Sequence, residues 1–361
     1  MNNHASLAGN ATQARPGGNK TTLSVLTEQD SLDEWDAFVD RSPQGAVFCR
    51  SFWLRAAAPQ GFRILTLRSD QQAIVAGWPL VIQQRRGRTE IGGSDGILTP
   101  HLGVLLAPPS RPTYTGRLTA EIEATAELLK GLPPFSRFEM AFHHRFTNGL
   151  PFQWAGFGQT TTYTYVIPSL ADLAAVYANF DSSKRRQLKQ AARAVTIHQE
   201  MSAAEFYHHH AAALAQEGQH PPYRFQRFDR LFAACRQNHA GKAFCAVDPA
   251  QRVHAAIFVV YDRTSGHCLL NSTDRDFRDS GATALLVKQA LTFLHDKTAG
   301  FLFEGCNLRC LESSHRRFGG LQVPRLIIRR DTRSPLARLL DSAAGGSRRV
   351  LRRWGLRPRE S

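Results

Sequence analysis

The chain has 361 residues, of which 42% are hydrophobic and 9% aromatic; this composition excludes an intrinsically disordered protein, and the length favours two domains. The formal net charge of +15 indicates a surface that attracts polyanions, namely nucleic acid, anionic lipid or a phosphate-rich cofactor. Charge alone does not choose among these partners.

The cysteine pattern indicates a reducing compartment. The chain has six cysteines, and their spacing matches neither a zinc knuckle nor a redox motif, although Cys306 and Cys310 can share a helix face. No run of eighteen apolar residues is present to span a membrane, and the first residues have no signal-peptide core. We therefore expect a cytoplasmic protein, with peripheral contact at the inner face of the membrane as an open option.

The first part of the chain has the pattern of a mixed domain. Residues 1–20 are rich in Asn, Gly, Ala and Thr, which predicts a disordered lead. Beyond them, short apolar runs bounded by Gly, Asp and Pro predict strands, and apolar residues at helical spacing predict covering helices. The predicted strands are Leu23–Leu26, Phe62–Leu67, Ala73–Ile82, Ile97–Leu106, Arg137–Phe142 and Thr160–Ile167, and the predicted helices begin near Asp30 or span Ser51–Ala58 and Thr119–Leu129.

The second part, which begins at Pro168, has a different order. Helices come first, followed by three strands, a helix, a strand, a helix and a last strand. Many α+β folds contain a similar series, so this order alone is only suggestive. The predicted helices are Ser169–Asn179, Ser182–Ala194, Ser202–Gln216, Phe225–Asn238, Ala282–His295 and Leu308–Arg317, and the strands are Lys242–Val247, Val253–Tyr261, Cys268–Ser272, Phe301–Glu304 and Val323–Arg329.

Short motifs near the end give the chain a family resemblance. The segment Phe301–Cys306, followed by Arg317–Gly320, resembles the closing signature of FemABX-like and CelD-like acetyltransferases of the GNAT superfamily. In that signature a strand ends in Asp-Phe-Glu-Gly-Ser and a helix ends in Phe-Gly-Gly or Phe-Gly-Ala. Leu302 and Cys306 replace the usual Asp and Ser, so the roles of those two family residues do not carry over.

Two further stretches extend the resemblance over roughly residues 23–330. Asp181–Ala191 is similar to the family's basic interdomain helix, and Ala73–Leu80 to its early strand. The resemblance implies an α+β fold of two tandem GNAT-like domains, each a mixed, mostly antiparallel sheet flanked by helices. We place these domains at residues 21–168 and 169–330, with a basic tail at 331–361 and the acyl site in a cleft beside the second domain.

The resemblance also implies a donor site at the start of the helix that crosses over between two parallel strands. The donor would be acetyl-CoA or another acyl-CoA, with its pyrophosphate on backbone N–H groups that lack helical partners. Here those residues are Arg278, Ser280, Gly281 and Ala282, with Gly281 permitting close backbone approach and Arg278 adding charge. The alternative is an ordinary helix start capped by Ser280.

Glu304 is the candidate catalytic residue. It ends a strand beside the implied cleft, where a carboxylate can take a proton from the acceptor amine directly or through water. We expect partial burial to raise its pKa toward the operating pH. The alternative is a buried glutamate that only accepts structural hydrogen bonds.

Four residues are candidates for substrate binding. Lys184 and Arg185 belong to a cationic helix face that can hold a donor phosphate, tRNA or a lipid headgroup, and Asn307 and Arg317 lie close to Glu304 in sequence. A solvated helix face is the alternative for the first pair. Arg317 can instead bind a carboxylate of the protein.

We expect no metal. His208–His210 are adjacent on a helix and point in different directions, and neither His220 nor the pair His143–His144 brings an acid or cysteine at useful spacing. The sequence also lacks a phosphate loop and a nucleophile elbow. A Cys306 nucleophile with His315 as its base is disfavoured.

The tail has two open interpretations. Val350–Leu356 is basic and amphipathic and contains a tryptophan, which suits an anionic membrane surface, but a flexible solubilising tail has the same composition. For the whole chain, the preferred function is transfer of an acyl group from acyl-CoA to an amine, such as an amino sugar or another cell-envelope or polysaccharide precursor. An aminoacyl-tRNA donor is disfavoured because the sequence has no sustained heptads for a tRNA-binding arm. A non-catalytic membrane- or nucleic-acid-binding module is the third hypothesis.

Overall fold

The computed structural model describes residues 21–85, 87–92, 98–304 and 309–334. In the first half, strands alternate with short helices, as the sequence predicts. None of the described helices combines the length and apolar character needed to cross a bilayer. The elements are β1 (Thr22–Thr27), α1 (Asp33–Arg41), α2 (Ser51–Ala57), β2 (Phe62–Arg68), β3 (Ile74–Arg85), β4 (Arg88–Gly92), β5 (Leu105–Leu106), α3 (Tyr114–Lys130), β6 (Arg137–Ala141), α4 (Leu150–Trp154) and β7 (Gly158–Ile167).

The second half has the predicted order of helices and strands, with one additional short strand. Its elements are α5 (Leu173–Ala178), α6 (Ser182–Ala194), β8 (Thr196–His198), α7 (Ala203–Ala215), α8 (Phe225–Gln237), β9 (Gly241–Val247), β10 (Val253–Tyr261), β11 (Ser265–Thr273), α9 (Ala282–Leu294), β12 (Gly300–Phe303), α10 (Arg309–Arg316) and β13 (Leu321–Asp331).

Local capping explains why several helix starts were predictable. The Asp181 carboxylate accepts the backbone N–H of Lys184 at 2.9 Å and begins α6. Ser202 and Glu205 form a reciprocal capping box at the start of α7. Such caps satisfy N–H groups that have no partner inside the helix, so they fix where a helix begins.

The strands form one continuous path through both halves. Its order is β1-β2-β3-β4-β6-β13-β7-β12-β11-β10-β9-β8, with β5 beside β3. The last strand, β13, is antiparallel to both β6 and β7, and β7 is antiparallel to β12. The domain boundary between residues 168 and 169 stays a prediction. The strand β7, which that boundary assigns to the first domain, pairs with β12 and β13 of the second half.

Apolar side chains cover both faces of the second-half strands. In β10, Phe258 packs into a core shared with the first half of the chain, whereas its neighbour Ile257 packs into a second core under α6 and α9. Successive strand residues point to opposite faces, so a continuous apolar run is what a doubly covered strand requires.

Several predicted elements are wrong in extent: the helix predicted from Thr119 begins at Tyr114, and the strand predicted from Cys268 begins at Ser265. The elements β4 and α4 are not predicted from the sequence. In the run Ile97–Leu106, only Leu105–Leu106 forms a strand within its described part, because Pro100 and the positive φ of Gly103 interrupt regular pairing. The helix predicted from Ser169 begins after Asp172, whose side chain caps it. The predicted lead at residues 1–20, and the tail from residue 335 onward, lie outside the described residues.

Candidate active site

The parallel pair β11–β12 defines the candidate cleft. The two strands pair from Ser265 with Gly300 to Cys268 with Phe303. Beyond that point β11 continues to Thr273 while paired with β10, and no described strand pairs with its other edge. Glu304 follows the last paired residue, and α9 begins a few residues after β11.

Glu304 lies at the base of this cleft, and both of its carboxylate oxygens have hydrogen-bond partners. Its side chain is 6% exposed and forms a two-point ion pair with Arg325, at 2.9 Å to Oε2 and 3.2 Å to Oε1. His267 Nδ1 lies 3.1 Å from Oε1. Burial raises the pKa of Glu304, but the Arg325 charge and the His267 hydrogen bond outweigh it and lower that pKa to about 2. The expectation of a raised pKa is therefore wrong, because the sequence did not reveal the two partners.

His267 connects Glu304 to the first half of the chain. Its Nε2 lies 2.9 Å from Ser265 Oγ, and its ring packs edge-on against Phe48. The His101 ring centre lies 5.8 Å from that of His267. The order serine, histidine, carboxylate is that of a hydrolase triad. Ser265, however, is 6% exposed and stands at the start of β11, the end farther from α9.

The start of α9 has the geometry of an uncapped helix. Gly281 is its N-cap in the left-handed conformation, with φ 77°, and no side chain caps the helix through that position. Ser280 Oγ accepts the N–H of Ala282 at 3.3 Å, a weak local bond that partly satisfies the capping alternative. The remaining first-turn amides have no acceptor within an α-helix and can bind an anion.

Gly281 permits a close backbone approach, but the backbone that approaches belongs to α6. A Cβ at this position would lie 2.3 Å from the carbonyl oxygen of Gln187. Gln190 on the same helix donates from Nε2 to the carbonyl oxygen of Asp279 at 2.7 Å. A larger residue at 281 would therefore disturb the packing of α6 as well as any ligand, so it is not a clean probe of donor binding.

Arg278 is exposed and already has a partner. Its Nη2 donates to Glu217 Oε1 at 2.5 Å, and both side chains are about half exposed at 55% and 41%. Exposed ion pairs of this kind exchange partners at little cost. A phosphate could therefore replace Glu217, and the assignment of Arg278 to the donor stays a prediction.

Lys184 does not lie on the exposed cationic face that the sequence suggested. The residue is 5% exposed, its Nζ donates to Ser314 Oγ at 2.8 Å, and it lies 4.3 Å from the centre of the Phe318 ring. Burial lowers the pKa of Lys184 to about 8, against the opposing charge of Asp181. The correction has a simple cause: Lys184 is three positions after the helix cap, on the side of α6 that faces α10.

Of the other residues predicted to bind substrate, Arg185 and Arg317 are described, and both lie near the start of α6. Arg185 donates to the carbonyl oxygens of Ala178 and Phe180, and so caps the end of α5. Arg317 Nε lies 3.6 Å from Asp181 Oδ2 with its side chain 48% exposed. Asn307 lies outside the described residues. Within the described part, the structure therefore brings Lys184 and Arg317 together beside Asp181.

Sequence reasoning missed Arg325, His267 and His101. Arg325 carried a usable signal, because it is a charged residue inside the predicted strand Val323–Arg329, and a buried arginine needs a carboxylate partner. His267 and His101 carried none, because they meet only through the pairing of distant strands.

Comparisons with known proteins bear on this arrangement. The family model described as an acetyltransferase (GNAT) domain matches residues 177–301. No curated protein matches the sequence. The solved structure of FemX is 11% identical, covers 84% of this chain and 96% of its own, and gives a TM-score of 0.64.

Two further structures have similar coverage. A tandem GNAT protein from the clavulanic acid biosynthesis pathway, solved without AcCoA, is 12% identical over 87% of this chain and 99% of its own, with a TM-score of 0.52. A conserved protein of unknown function from Bacteroides thetaiotaomicron VPI-5482 is 8% identical over 85% and 99%, with a TM-score of 0.51. At these identities the likeness concerns the fold, and it confirms the predicted tandem GNAT-like α+β fold of the FemABX and CelD type. The matched domain is an acyltransferase domain, which supports the prediction of an acyltransferase.

Proposed function

We propose that the protein transfers an acyl group from acyl-CoA to an amine. One observation carries the proposal: the start of α9, where Gly281 provides no side-chain cap, stands beside the edge of β11 that pairs with no described strand, and Glu304 lies where β11 and β12 stop pairing. In the reaction, the amine nitrogen bonds to the acyl carbon, the carbon–sulfur bond breaks, and the thiol of CoA leaves. The acceptor class we propose is an amino sugar or another cell-envelope precursor, as the family resemblance implies.

The residues around α9 suit a phosphate-bearing donor. Arg186 and Arg193 lie on the same exposed side of α6 as Gln190, which reaches the loop before α9, and Lys189 is exposed beside them. None of these three cations has an ion-pair partner in the described part of the chain. Together with the amides near Ala282, and with Arg278, they would hold the pyrophosphate of CoA. The acyl thioester would then extend along β11 toward Glu304.

Glu304 would act through its charge. A carboxylate with a pKa near 2 is a poor proton acceptor at neutral pH, because proton transfer to it is uphill. The attacking nitrogen becomes positive as it bonds to the acyl carbon, and a fixed carboxylate stabilises that charge without reorganising. Solvent would take the proton. Lys184 and Arg317, on the α10 side, remain candidates for binding the acceptor or its anionic group.

The cationic surface of α6 also suits a different donor, an aminoacyl-tRNA. Unpaired cations along α6 and a formal charge of +15 also suit the phosphates of an aminoacyl-tRNA. Calorimetric titration with acetyl-CoA, free CoA and charged tRNA distinguishes the two. An amino-sugar panel, assayed by release of the CoA thiol, then tests transfer itself.

A charge-matched pair of variants locates the donor. Changing Arg186, Lys189 and Arg193 together to Gln should weaken acetyl-CoA binding by about tenfold or more. The control changes Arg63, Arg88 and Arg236, three exposed arginines on other elements, to Gln. Equal affinity of the two triple variants for acetyl-CoA would refute this donor site.

A further inference from the structure

Three metal-ligating side chains meet between the two halves of the chain. His101 comes from the segment between β4 and β5, His267 from β11, and Glu304 follows β12. One ligand atom of each lies within 4.8 Å of the other two. His267 Nδ1 and Glu304 Oε1 are 3.1 Å apart, close to the roughly 3.3–3.5 Å between ligand atoms of a tetrahedral zinc ion.

His101 is the feature that hydrogen bonding inside the protein does not explain. It is 2% exposed, and neither ring nitrogen has a hydrogen-bond partner among the residues that the structure describes. Leaving a buried polar group unpaired costs about 1–3 kcal/mol, so native structures almost always supply a partner. The His101 and His267 ring centres are 5.8 Å apart, which agrees with the about 5–6 Å expected for two imidazoles on one tetrahedral ion.

We propose that His101, His267 and Glu304 bind one divalent transition-metal ion of the class that prefers imidazole and carboxylate ligands, with Zn²⁺ as the representative. Two neutral imidazoles and one carboxylate supply three ligands, and a water molecule completes the tetrahedron. The ion would give one ring nitrogen of His101 a partner.

Ser265 makes this exchange possible at His267. A carboxylate only accepts hydrogen bonds, so without metal His267 Nδ1–H donates to Glu304, and Nε2 accepts from the Ser265 hydroxyl at 2.9 Å. With metal, the Nδ1 lone pair faces the ion and Nε2–H donates to Ser265 Oγ. A hydroxyl can serve as donor or acceptor, so neither form leaves an unpaired atom.

Arg325 sets a limit on the affinity. It can keep Glu304 Oε2 at 2.9 Å and so orient the carboxylate, but its Nη2, 3.2 Å from Oε1, would have to move away from the oxygen that faces the ion. Its positive charge also opposes the cation, so we expect weaker binding than at a site with the same ligands and no arginine.

The ion would join segments that are distant in sequence, and it should therefore stabilise the folded chain. It would also engage Glu304, so Zn²⁺ should inhibit the acyl transfer proposed above. The inference itself does not rest on that function, because metal binding is measured without any substrate.

The test uses tag-free, full-length protein that has been treated with EDTA and dialysed. Zn²⁺ is added during calorimetry, and Co²⁺ during absorption spectroscopy. We expect one equivalent of Zn²⁺ to bind, with Co²⁺ bands typical of four-coordinate geometry. His101→Leu should weaken Zn²⁺ binding more than about 100-fold, and Ser265→Ala about 10–100-fold. His208→Ala, which removes an exposed histidine, is the control and should bind like the parent.

A melting-temperature measurement covers the case in which a variant is misfolded. Leucine replaces an unpaired buried imidazole, so metal-free His101→Leu should have a melting temperature equal to or above that of the parent. Zn²⁺ should raise the melting temperature of the parent and leave that of His101→Leu unchanged. Failure of the parent to bind Zn²⁺ at micromolar concentrations would overturn the proposal. Equal Zn²⁺ affinity of His101→Leu and the parent would do the same, and loss of binding in His208→Ala instead would assign the ion to His208 on the surface of α7.

Discussion

Glu304 and Lys184 are two ionisable groups with buried side chains, and their surroundings act on their charges in opposite ways. Arg325 and His267 stabilise the charged form of Glu304 and lower its pKa to about 2. Lys184 donates to a hydroxyl and lies against an aromatic face, with Asp181 and the like-charged Arg317 nearby, and burial lowers its pKa to about 8. Burial alone thus does not determine charge. The partners make Glu304 a fixed charge and Lys184 a group that titrates near the working pH.

The largest effect is expected when Glu304 loses Arg325, the cation that keeps it charged. Arg325→Met should destabilise the protein by about 3–5 kcal/mol, because it leaves a buried carboxylate without its cation. Arg329→Met, an exposed arginine of the same strand, is the control and should stay within about 0.5 kcal/mol. Urea denaturation at pH 7 measures both.

Acid should erase the difference caused by Arg325. The depressed pKa of Glu304 contributes stability above its unfolded value near 4.5, and that stability disappears as pH falls toward about 2. The gap between Arg325→Met and the parent should therefore narrow over this range. A gap that stays constant down to the lowest pH at which both fold would show that Arg325 stabilises through packing instead of charge.

How much of this site the sequence predicts depends on how local each interaction is. The bounds of α6 and β10 follow from the Asp181 cap and a continuous apolar run, and both match the structure. Glu304 follows from its motif. Its pairing with Arg325 and His267 does not follow, because both reach it only through the neighbouring positions of β13, β7, β12 and β11 in the sheet, although a charge inside a predicted strand already marks Arg325 as a residue that needs a partner. A prediction made without those partners therefore gives the pKa shift of Glu304 the wrong direction.

The next largest effect concerns turnover. Glu304→Gln keeps the shape and an acceptor for Arg325 but removes the fixed charge. It should lower kcat by about 10²–10³-fold, the range for loss of an electrostatic group, with acetyl-CoA affinity nearly unchanged. The loss should be equal at pH 6 and pH 9. A loss that shrinks at pH 9, where free amine is abundant, would instead support a proton-accepting Glu304.

Lys184 tests the other side of the contrast through pH. Its folded pKa of about 8 lies below the ordinary 10.5, so the unfolded chain binds more protons between these values. Stability should rise across pH 8 to 10.5, by at most about 3–4 kcal/mol. Lys184→Met should remove this rise, and exposed Lys189→Met on the same helix should keep it. An unchanged pH slope in Lys184→Met would mean that Lys184 remains charged in the folded state.

The smallest effect is expected at an exposed charge, which burial does not affect as it affects Glu304 and Lys184. Arg278 is 55% exposed and bonded to Glu217, so its removal should cost the fold less than about 1 kcal/mol. Donor binding must first break that pair. The gain from a phosphate contact is therefore partly offset, and Arg278→Ala should weaken acetyl-CoA binding only about threefold to tenfold.

Glu217→Gln makes the Arg278 prediction specific, because it frees the arginine without removing it. If Arg278 exchanges Glu217 for the donor phosphate, Glu217→Gln should tighten acetyl-CoA binding by up to about fivefold, and the double variant with Arg278→Ala should bind like Arg278→Ala alone. Added salt should reduce both differences, since the groups are exposed to screening. Calorimetry at two salt concentrations measures all four proteins. If Glu217→Gln and the parent bind equally while Arg278→Ala does too, the donor phosphate is held by the amides of α9 and the cations of α6 without Arg278.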